Sequence, residues 1–366
     1  MSVKKQKILF IVPSMRGGGA ERVMMTLLNH LDRSRFDPIL ALIKKEGTLL
    51  DKLPSDLPII DLNARNARYA IIKIIRLVWS VKPDIVFSTL GYLNLLIALI
   101  KIFLPRNIRL IAREGSIPSV QNKREKYPKI FDWLYTNVYY RFDCIIAQSQ
   151  YMRRDLIENF SIPDEKVIVI NNPVDIERVT VLSGEMGYSY PANKINLLAV
   201  GRLSHEKGYD LLLQAMKLLG DQYHLTFVGI GPEESRLLKL SEKLELQERV
   251  TFIGFQDNPY AWMKNADLMV LSSRYEGFPN VVLEANACGT PVIAFDCPGG
   301  TGEIIENGVN GLLVKNGDSV AMADAIQRFR LMTWNEMKIK VNISEKYNIN
   351  FIMNKYEQLF IAKVKE

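Results

Sequence analysis

The sequence predicts an α/β protein of two domains, each a doubly wound parallel sheet with helices on both faces. Short apolar runs alternate with helical patterns along the whole chain, as expected when parallel strands are buried on both sides. The 366 residues are enough for two separate cores. A content of 48% hydrophobic and 24% charged residues is ordinary for a globular protein.

Thirteen apolar runs predict the strands. They are, in chain order, KILFIVPS, DPILALI, LPIIDL, PDIVFST, IRLIARE, DCIIAQS, KVIVINN, INLLAVG, HLTFVGI, RVTFIGF, ADLMVLS, TPVIAFD and GLLV. Apolar residues at helical spacing predict helices at residues 20–31, 209–219 and 280–287.

One predicted strand–helix unit, at residues 85–104, is long and apolar enough to resemble a membrane span. Gly91 divides this stretch, however, and Lys101 interrupts its second part. We therefore expect a strand followed by a buried helix.

The start of the chain, MSVKKQKILFIVPS, carries only a short apolar run that leads into three glycines rather than into a cleavage site. It predicts a first strand and no export signal, so we expect a cytoplasmic protein.

The domain boundary is predicted near residues 183–194, which are rich in Gly, Ser and Pro and have little periodicity. This gives an N-terminal domain over residues 1–182 and a C-terminal domain over residues 190–345. Ligands of such sheets bind outside the carboxyl ends of the strands. We therefore expect the site in a cleft between the two domains.

Composition excludes several classes of protein. Three cysteines without a CxxC pattern argue against a disulfide framework or a cysteine-rich zinc site, and three histidines make a multi-histidine centre improbable. No Asp-x-Asp triplet occurs, so we expect no metal and no other cofactor.

The charge is divided unevenly along the chain. Residues 1–180 carry 28 Lys+Arg against 18 Asp+Glu, and residues 181–366 carry 19 Lys+Arg against 22 Asp+Glu. The basic half suits an anionic membrane or a diphosphate-bearing acceptor, or is simply a solvated surface. No nucleic-acid-binding motif accompanies it.

Two carboxylates, Glu276 and Glu284, flank the start of the predicted helix at residues 280–287. Pro279 suits the first helical position and Gly289 the end of the helix. Unpaired amides at such a start favour a phosphate or a developing anion, and a nearby carboxylate can accept hydrogen bonds from a diol. The alternative is a capping Glu and a solvent-facing Glu.

Two cations, Arg202 and Lys207, lie in the loop between a predicted strand and the helix at residues 209–219. An Arg fork and a Lys point charge at this junction suit a diphosphate.

A further loop, RGGGAERV, follows the first strand. Its glycines Gly17, Gly18 and Gly19 allow close approach of a phosphate or sugar, although a tight turn without a ligand is equally compatible.

The ordered set GGGAERV, VGRLSHEKG, FVGIGPEESRL, FIGF and the Glu276–Glu284 spacing resembles glycosyltransferase family 4. The resemblance covers nearly the whole chain, and its C-terminal motifs are the most specific. It implies the GT-B architecture, with two Rossmann-like domains facing across a cleft and a final helix, about residues 346–362, that returns to the N-terminal domain. It also implies retaining transfer from a nucleotide sugar, which the missing Asp-x-Asp triplet predicts to be metal-independent. Bacterial enzymes that extend polyprenyl-diphosphate-linked glycans are the most similar.

The resemblance also implies roles for single residues. Arg202 and Lys207 would neutralise the leaving diphosphate, Glu276 would bind the donor sugar and Glu284 the ribose. The remaining donor-binding residues would be Gly17, Gly18, Gly19, Gly229, Gly231, Ile253, Phe255, Gly277, Phe278, Pro279, Asn280 and Val281.

The acceptor side of the site is less defined. Arg113 and Glu114 end a predicted strand where many relatives carry a histidine, so that histidine's role is not transferred. They are predicted either to contact the acceptor or to form a structural ion pair. Residues 69–82 and 122–142 combine basic and aromatic side chains, which favours docking on the cytoplasmic face of the inner membrane over core packing alone.

The expected activity is therefore transfer of an N-acetylhexosamine from a UDP-sugar to a lipid-linked saccharide, in the synthesis of a surface polysaccharide such as O-antigen or capsule. Two alternatives remain at this point. One is a nucleotide-sugar 2-epimerase of the same fold, which would need no acceptor. The other is a catalytically silent assembly protein at the membrane surface.

Overall fold

The computed structural model describes residues 5–185 and 189–362. It contains two compact units. The first unit comprises the chain up to Pro173 together with the segment from Asn350 onward, and the second unit comprises Val174–Ile349. The unit boundary thus precedes the stretch at residues 183–194, of which residues 186–188 lie outside the described part.

The earlier boundary has a structural cause, a helix at Ile176–Ser183 that packs in the second unit. Its Val179 is buried in the same core cluster as Tyr260 and Met263. The Leu182 carbonyl oxygen accepts a hydrogen bond of 2.8 Å from the Asn258 side chain. The described residues of this stretch therefore lie within the second unit rather than at its border.

Every predicted apolar run forms a strand. The strands are β1 Gln6–Val12, β2 Phe36–Leu42, β3 Ile59–Asp61, β4 Ile85–Thr89, β5 Arg109–Arg113, β6 Cys144–Ala147, β7 Val167–Val169, β8 Ile195–Val200, β9 Tyr223–Val228, β10 Val250–Phe252, β11 Leu268–Leu271, β12 Val292–Asp296 and β13 Gly311–Lys315.

The helices connect these strands on both faces of each sheet. They are α1 Gly19–His30, α2 Ile71–Val81, α3 Gly91–Ile100, α4 Pro118–Gln121, α5 Pro128–Asn137, α6 Gln150–Phe160, α7 Ile176–Ser183, α8 Tyr209–Leu218, α9 Glu234–Lys243, α10 Tyr260–Asn265, α11 Asn280–Ala287, α12 Thr301–Ile304, α13 Ser319–Phe329, α14 Glu336–Tyr347 and α15 Ile349–Ile361. Single 3₁₀ turns lie at Leu50–Lys52, Ala67–Ala70, Lys101–Phe103, Asn122–Arg124, Tyr139–Arg141, Asp164–Lys166 and His205–Lys207.

Both sheets are parallel and doubly wound, which confirms the predicted fold class. The first has seven strands in the order β3-β2-β1-β4-β5-β6-β7, and the second has six in the order β10-β9-β8-β11-β12-β13. The direction of winding reverses between β1 and β4 in one sheet and between β8 and β11 in the other. Such switch points open a crevice at the carboxyl ends of the strands, where ligands bind.

Two helical layers cover the first sheet. On one face, α2, α3, α5 and α6 share a single apolar cluster with strand residues such as Leu9 and Val86. On the other face, Phe360 of α15 packs edge-on against Phe36 and Phe87, with ring centroids 5.8 Å apart in each pair.

The expected final helix at residues 346–362 is divided into α14 and α15 in the structure. The break lies at Asn348, whose backbone is extended at the end of α14. α15 packs on the first unit, as the resemblance implies. In the part of the chain that the structure describes, no helix combines the length and the apolar character needed to cross a bilayer.

Candidate functional site

In the second unit, most of the predicted site residues lie at the carboxyl edge of the sheet. Arg202 and Lys207 follow β8, Gly229 and Gly231 follow β9, Ile253 and Phe255 follow β10, and Glu276 to Val281 follow β11. Because β8 and β11 flank the switch point, the loops that bear Lys207 and Glu276 face each other across the crevice.

Lys207 and Glu276 form the centre of this edge. Lys207 Nζ lies 2.6 Å from Glu276 Oε1, and their side chains are only 19% and 11% exposed. The turn His205–Lys207 places the ammonium, and Ser272 Oγ fixes that turn by donating to the Lys207 carbonyl oxygen at 2.9 Å. Burial alone would lower the Lys207 pKa, but the charge and hydrogen bond of Glu276 outweigh burial, and the net pKa is raised. Lys207 therefore stays cationic.

The two oxygens of the Glu276 carboxylate differ in their contacts. Oε1 accepts from Lys207 Nζ and also, at 2.6 Å, from the hydroxyl of the fully buried Ser273. Among the described residues, no protein group donates a hydrogen bond to Oε2. The carboxylate is thus held in place through one oxygen, while the other can accept a ligand hydroxyl. Ser273 was not predicted, because its role depends on how the loop closes.

The loop at residues 298–300 supports Glu276 through backbone hydrogen bonds. The Glu276 N–H donates to the Pro298 carbonyl oxygen at 3.0 Å, and the Gly300 N–H donates to the Gly277 carbonyl oxygen at 3.0 Å. Gly299 has φ +126°, and a Cβ there would lie 1.6 Å from the Glu276 carbonyl oxygen. Only glycine permits so close an approach. Residues 298–300 were not predicted, because nothing local signals this pairing.

Arg202 differs from Lys207 in its surroundings. It is exposed to solvent, and within residues 5–185 and 189–362 its guanidinium makes no hydrogen bond or ion pair. The structure therefore brings Lys207 together with Glu276 and leaves Arg202 on the same loop with all its donors available to a ligand.

Helix α11 begins at Asn280, as predicted, and presents its N-terminal amides at this edge. Pro279 is the N-cap with extended backbone rather than the first helical residue, which corrects the sequence expectation. The Phe278 ring is buried against Tyr347, with centroids 5.5 Å apart, so this residue offers its backbone and not its side chain to a ligand. Gly277 and Val281 are half-buried.

Glu284 lies in the second turn of α11 and is half-buried. Tyr260 Oη, at the start of α10, donates to Glu284 Oε1 at 3.3 Å. The predicted E-x7-E pair therefore consists of two carboxylates that each have a protein donor. Tyr260 had no distinguishing sequence signal.

The loops after β9 and β10 are joined through their backbones. The Gly229 N–H donates to the Gly254 carbonyl oxygen at 2.8 Å. A Cβ on Gly231 would lie 2.3 Å from the Leu203 carbonyl oxygen, so the loops after β8 and β9 also touch. Phe255 is exposed and Ile253 is half-buried, which leaves apolar surface beside these glycines.

In the first unit, Gly17, Gly18 and Gly19 occupy the switch point between β1 and β4. Gly17 has φ +110°, Gly18 is the N-cap of α1, and Gly19 is its first residue. The Glu21 carboxylate lies against Gly18, where a Cβ would meet it at 2.4 Å. This is the position of the Glu in a capping box.

Arg113 and Glu114 are both fully buried. Arg113 donates to Tyr356 Oη at 3.2 Å and to Asn172 Oδ1 at 2.5 Å. Glu114 accepts from the hydroxyls of Tyr135 and Tyr139 and from Asn94. These contacts favour a structural role over acceptor binding, and among the described residues the two side chains contact different partners rather than each other.

The buried Glu114 makes the stability of the first unit depend on pH. Burial raises the pKa of its carboxyl group above the ordinary 4.5, against the opposing effect of its hydrogen bonds. A raised carboxyl pKa means that folding favours the protonated form. The stabilisation from this group is therefore complete below pH 4.5, the pKa of the unfolded chain, and is lost as pH rises through the higher pKa of the folded protein.

We therefore expect Glu114→Gln, which stays neutral, to gain in free energy of unfolding relative to the wild type as pH rises from about 5 to about 8. Urea unfolding across this range measures the difference. The matched control is Glu158→Gln, at an exposed position, which should show a constant difference. A pH-independent Glu114→Gln effect would contradict a buried neutral acid.

Comparison with known proteins identifies the family of the chain. The family model described as Glycosyl transferases group 1 matches residues 188–343, and the model described as Glycosyltransferase Family 4 matches residues 17–178. The chain is 29% identical over 339 residues to the N-acetylgalactosamine-N,N'-diacetylbacillosaminyl-diphospho-undecaprenol 4-alpha-N-acetylgalactosaminyltransferase of Campylobacter jejuni, covering 88% of this chain and 89% of that protein. It is 32% identical to the N-acetyl-alpha-D-glucosaminyl L-malate synthase of Bacillus anthracis, over 54% of each protein.

Solved structures share the fold. Anabaena HepE in complex with UDP and glucose superposes with a TM-score of 0.81 at 23% identity, covering 98% of this chain and 100% of that chain. Sucrose-phosphate synthase from Thermosynechococcus elongatus superposes with a TM-score of 0.83 at 21% identity, covering 97% and 98%. Both family models match in order over most of the chain, and the protein therefore belongs to glycosyltransferase family 4.

Proposed function

We propose that the protein is a retaining, metal-independent glycosyltransferase that moves an N-acetylhexosamine from a UDP-sugar to a polyprenyl-diphosphate-linked saccharide. The observation that carries this proposal is the Lys207–Glu276 pair at the switch point of the second sheet. The Campylobacter jejuni relative is named for transfer to a diphospho-undecaprenol-linked sugar, and the Anabaena structure contains UDP and glucose. These names support the donor and acceptor classes.

The positive charge for the leaving diphosphate comes from protein groups. Lys207 uses one of its three N–H donors on Glu276, so two remain for phosphate oxygens. Arg202, exposed on the same loop, adds a bidentate fork. The first amides of α11 add partial positive charge. Since the raised pKa of Lys207 keeps it cationic through neutral pH, no proton uptake is needed before the sugar–phosphate bond breaks.

Glu276 is positioned to bind the sugar rather than to attack it. Its Oε1 is held by Lys207 and Ser273, which leaves Oε2 as the acceptor for a sugar hydroxyl. Ion pairing with Lys207 also reduces its nucleophilicity. We therefore infer front-face attack, in which the leaving phosphate takes the proton from the acceptor hydroxyl and the new bond forms on the face that the diphosphate leaves.

Ser273→Ala should impair binding of the donor sugar without changing nucleotide binding. Loss of one hydrogen bond to a charged carboxylate is worth roughly tenfold or more, so kcat/KM should fall by about tenfold while UDP affinity stays unchanged. Steady-state kinetics and calorimetry measure the two quantities. Ser241→Ala, a buried serine in α9, is the control and should change neither. An equal loss of UDP affinity would indicate a general structural defect.

Glu284→Ala tests the ribose position. We expect UDP to bind roughly ten- to a hundredfold more weakly, because hydrogen bonds to a carboxylate are worth about 1.5–3 kcal/mol. Calorimetry with UDP provides the measurement. Tyr260→Phe, which removes the donor to Glu284, should give a smaller loss of the same kind. Unchanged UDP affinity in Glu284→Ala would remove its ribose role.

The activity itself is tested by screening nucleotide sugars for thermal stabilisation, followed by transfer to a synthetic lipid-diphosphate sugar. We expect the largest stabilisation with UDP-N-acetylhexosamines and an axial product linkage that retains the donor configuration. Full activity should persist with a chelator. Conversion of the donor without any glycolipid product would favour a 2-epimerase, and binding without turnover would favour an assembly protein.

A further inference from the structure

The outer surface of one helical layer of the first unit is unusually apolar. We call it the α2–α3–α5 face. Eight large side chains on it are between 53% and 71% exposed: Tyr69, Ile72, Trp79, Ile102, Phe103, Tyr127, Ile130 and Trp133. A single exposed apolar residue needs no explanation, but a set of this size on one layer indicates a binding surface.

These side chains share one surface because their helices share one layer. The inward residues of α2, α3 and α5 all join the same core cluster on one face of the sheet. Trp79 Nε1 donates to the Phe103 carbonyl oxygen at 2.9 Å, which joins α2 to the turn after α3. Lys101 Nζ donates to the Arg141 carbonyl oxygen at 2.5 Å, which joins that turn to the chain after α5.

In α2 and the 3₁₀ turn before it, the outward residues follow helical spacing. Tyr69, Ile72, Arg76 and Trp79 recur three or four positions apart and are exposed, whereas Ile74 and Val78 are fully buried. α5 repeats this arrangement with Tyr127, Ile130 and Trp133 outward. Each helix thus has apolar residues on its inward side and on its outward side. Packing in the core of the unit accounts for the inward residues but not for the outward ones.

The charge of the face is strongly positive. Residues 62–108 contain seven Lys or Arg and a single acid, Asp84, and residues 122–133 contain four Lys or Arg and two acids. The Asp84 carboxylate is engaged, since its Oδ2 accepts from the Lys7 amide at 2.8 Å. A basic face of this kind would repel a second copy of itself, whereas it complements an anionic surface.

We propose that the α2–α3–α5 face is a docking surface for a bilayer with anionic headgroups, with the aromatic and aliphatic side chains inserted at the headgroup level. Tryptophan and tyrosine favour this interface, and each nearby cation adds attraction to anionic lipid. The proposed docking depends only on the exposed side chains and the charge of this face. Its purpose, bringing the enzyme to a lipid-linked acceptor, rests on the proposed function.

Flotation with the full-length protein tests the proposal. Vesicles of phosphatidylglycerol and phosphatidylethanolamine should bind the wild type in a salt-sensitive manner, and phosphatidylcholine vesicles should bind it weakly. The triple variant Arg76→Gln, Lys126→Gln, Lys129→Gln should bind anionic vesicles roughly a hundredfold more weakly. The triple variant Ile72→Ser, Ile102→Ser, Ile130→Ser should lose roughly tenfold or more.

A matched control replaces three exposed apolar residues of the second unit: Val320→Ser, Leu331→Ser, Met337→Ser. It should bind vesicles like the wild type. Brominated lipid should quench tryptophan fluorescence in the wild type, and the double variant Trp79→Phe, Trp133→Phe should lose that quenching. Equal loss of binding in the control, or unchanged binding in both face variants, overturns the proposal, as does a face-dependent dimer in sedimentation equilibrium.

A water-soluble, short-chain acceptor separates this proposal from the proposed function. Face variants should transfer sugar to it at the wild-type rate while failing to bind vesicles. Vesicle binding by a wild type that transfers no sugar would overturn the proposed function and leave the docking surface intact.

Discussion

Lys207→Ala is expected to lower the rate of sugar transfer by roughly 10²–10³-fold, because a fixed cation that stabilises developing charge contributes about that much. In the proposed function this charge is that of the departing diphosphate, and Lys207 is the mostly buried cation of the site. Turnover with saturating donor measures the effect. Near-normal turnover would refute the role of Lys207.

The same substitution removes one partner of a mostly buried ion pair, so stability must be measured beside activity. Loss of one partner from such a pair costs about 3–5 kcal/mol. The double variant Lys207→Met, Glu276→Gln removes both charges and should recover much of that stability while staying inactive. Lys217→Ala breaks an exposed pair with Glu245 and should alter neither quantity measurably. Recovery of activity in the double variant would show that the loss arose from instability.

Phe360→Ala is expected to have the largest effect on stability, a loss of about 3–5 kcal/mol in the free energy of unfolding. Phe360 is buried on α15 and packs edge-on against Phe36 and Phe87. Removing its ring leaves a cavity between α15 and the first sheet. Thermal and urea unfolding measure the loss in the transition that belongs to the first unit.

Phe351→Ala provides the control, since Phe351 lies on the same helix but is exposed. It should lower the free energy of unfolding by less than about 1 kcal/mol. Equal losses in the two variants would mean that α15 contributes through helix formation rather than through the buried ring.

The inner strands were predictable because they are buried on both faces and form apolar runs, as in β4, β6 and β11. The edge strands β3 and β10 are only partly buried, and the apolar residues that they contain predicted them. Helix α11 was predictable to the residue, because Pro279 and Gly289 mark its two ends locally. The fold class followed from these patterns, and the family from motifs that contain Lys207 and Glu276.

What escaped prediction depends on contacts between distant segments. Nothing in the sequence around Asn348 separates α14 from α15, since both are amphipathic and no Pro or Gly lies between them. The contacts of Ser273 and Tyr260 with the two carboxylates require the folded loops. Arg113 ended a strand, as substrate-binding residues do, but only the packing of Tyr356 and Asn172 shows that it is buried.

If Glu276 binds the donor sugar as proposed, the backbone pairing of residues 276–277 with residues 298–300 matters for engineering donor preference. The loop after β11 and the loop after β12 are hydrogen-bonded to each other, so their conformations depend on each other. Grafting only residues 272–279 from another transferase would remove the partner loop that holds them in their original conformation. A chimera that exchanges both segments together should keep its fold and acquire the sugar choice of the parent that supplied them.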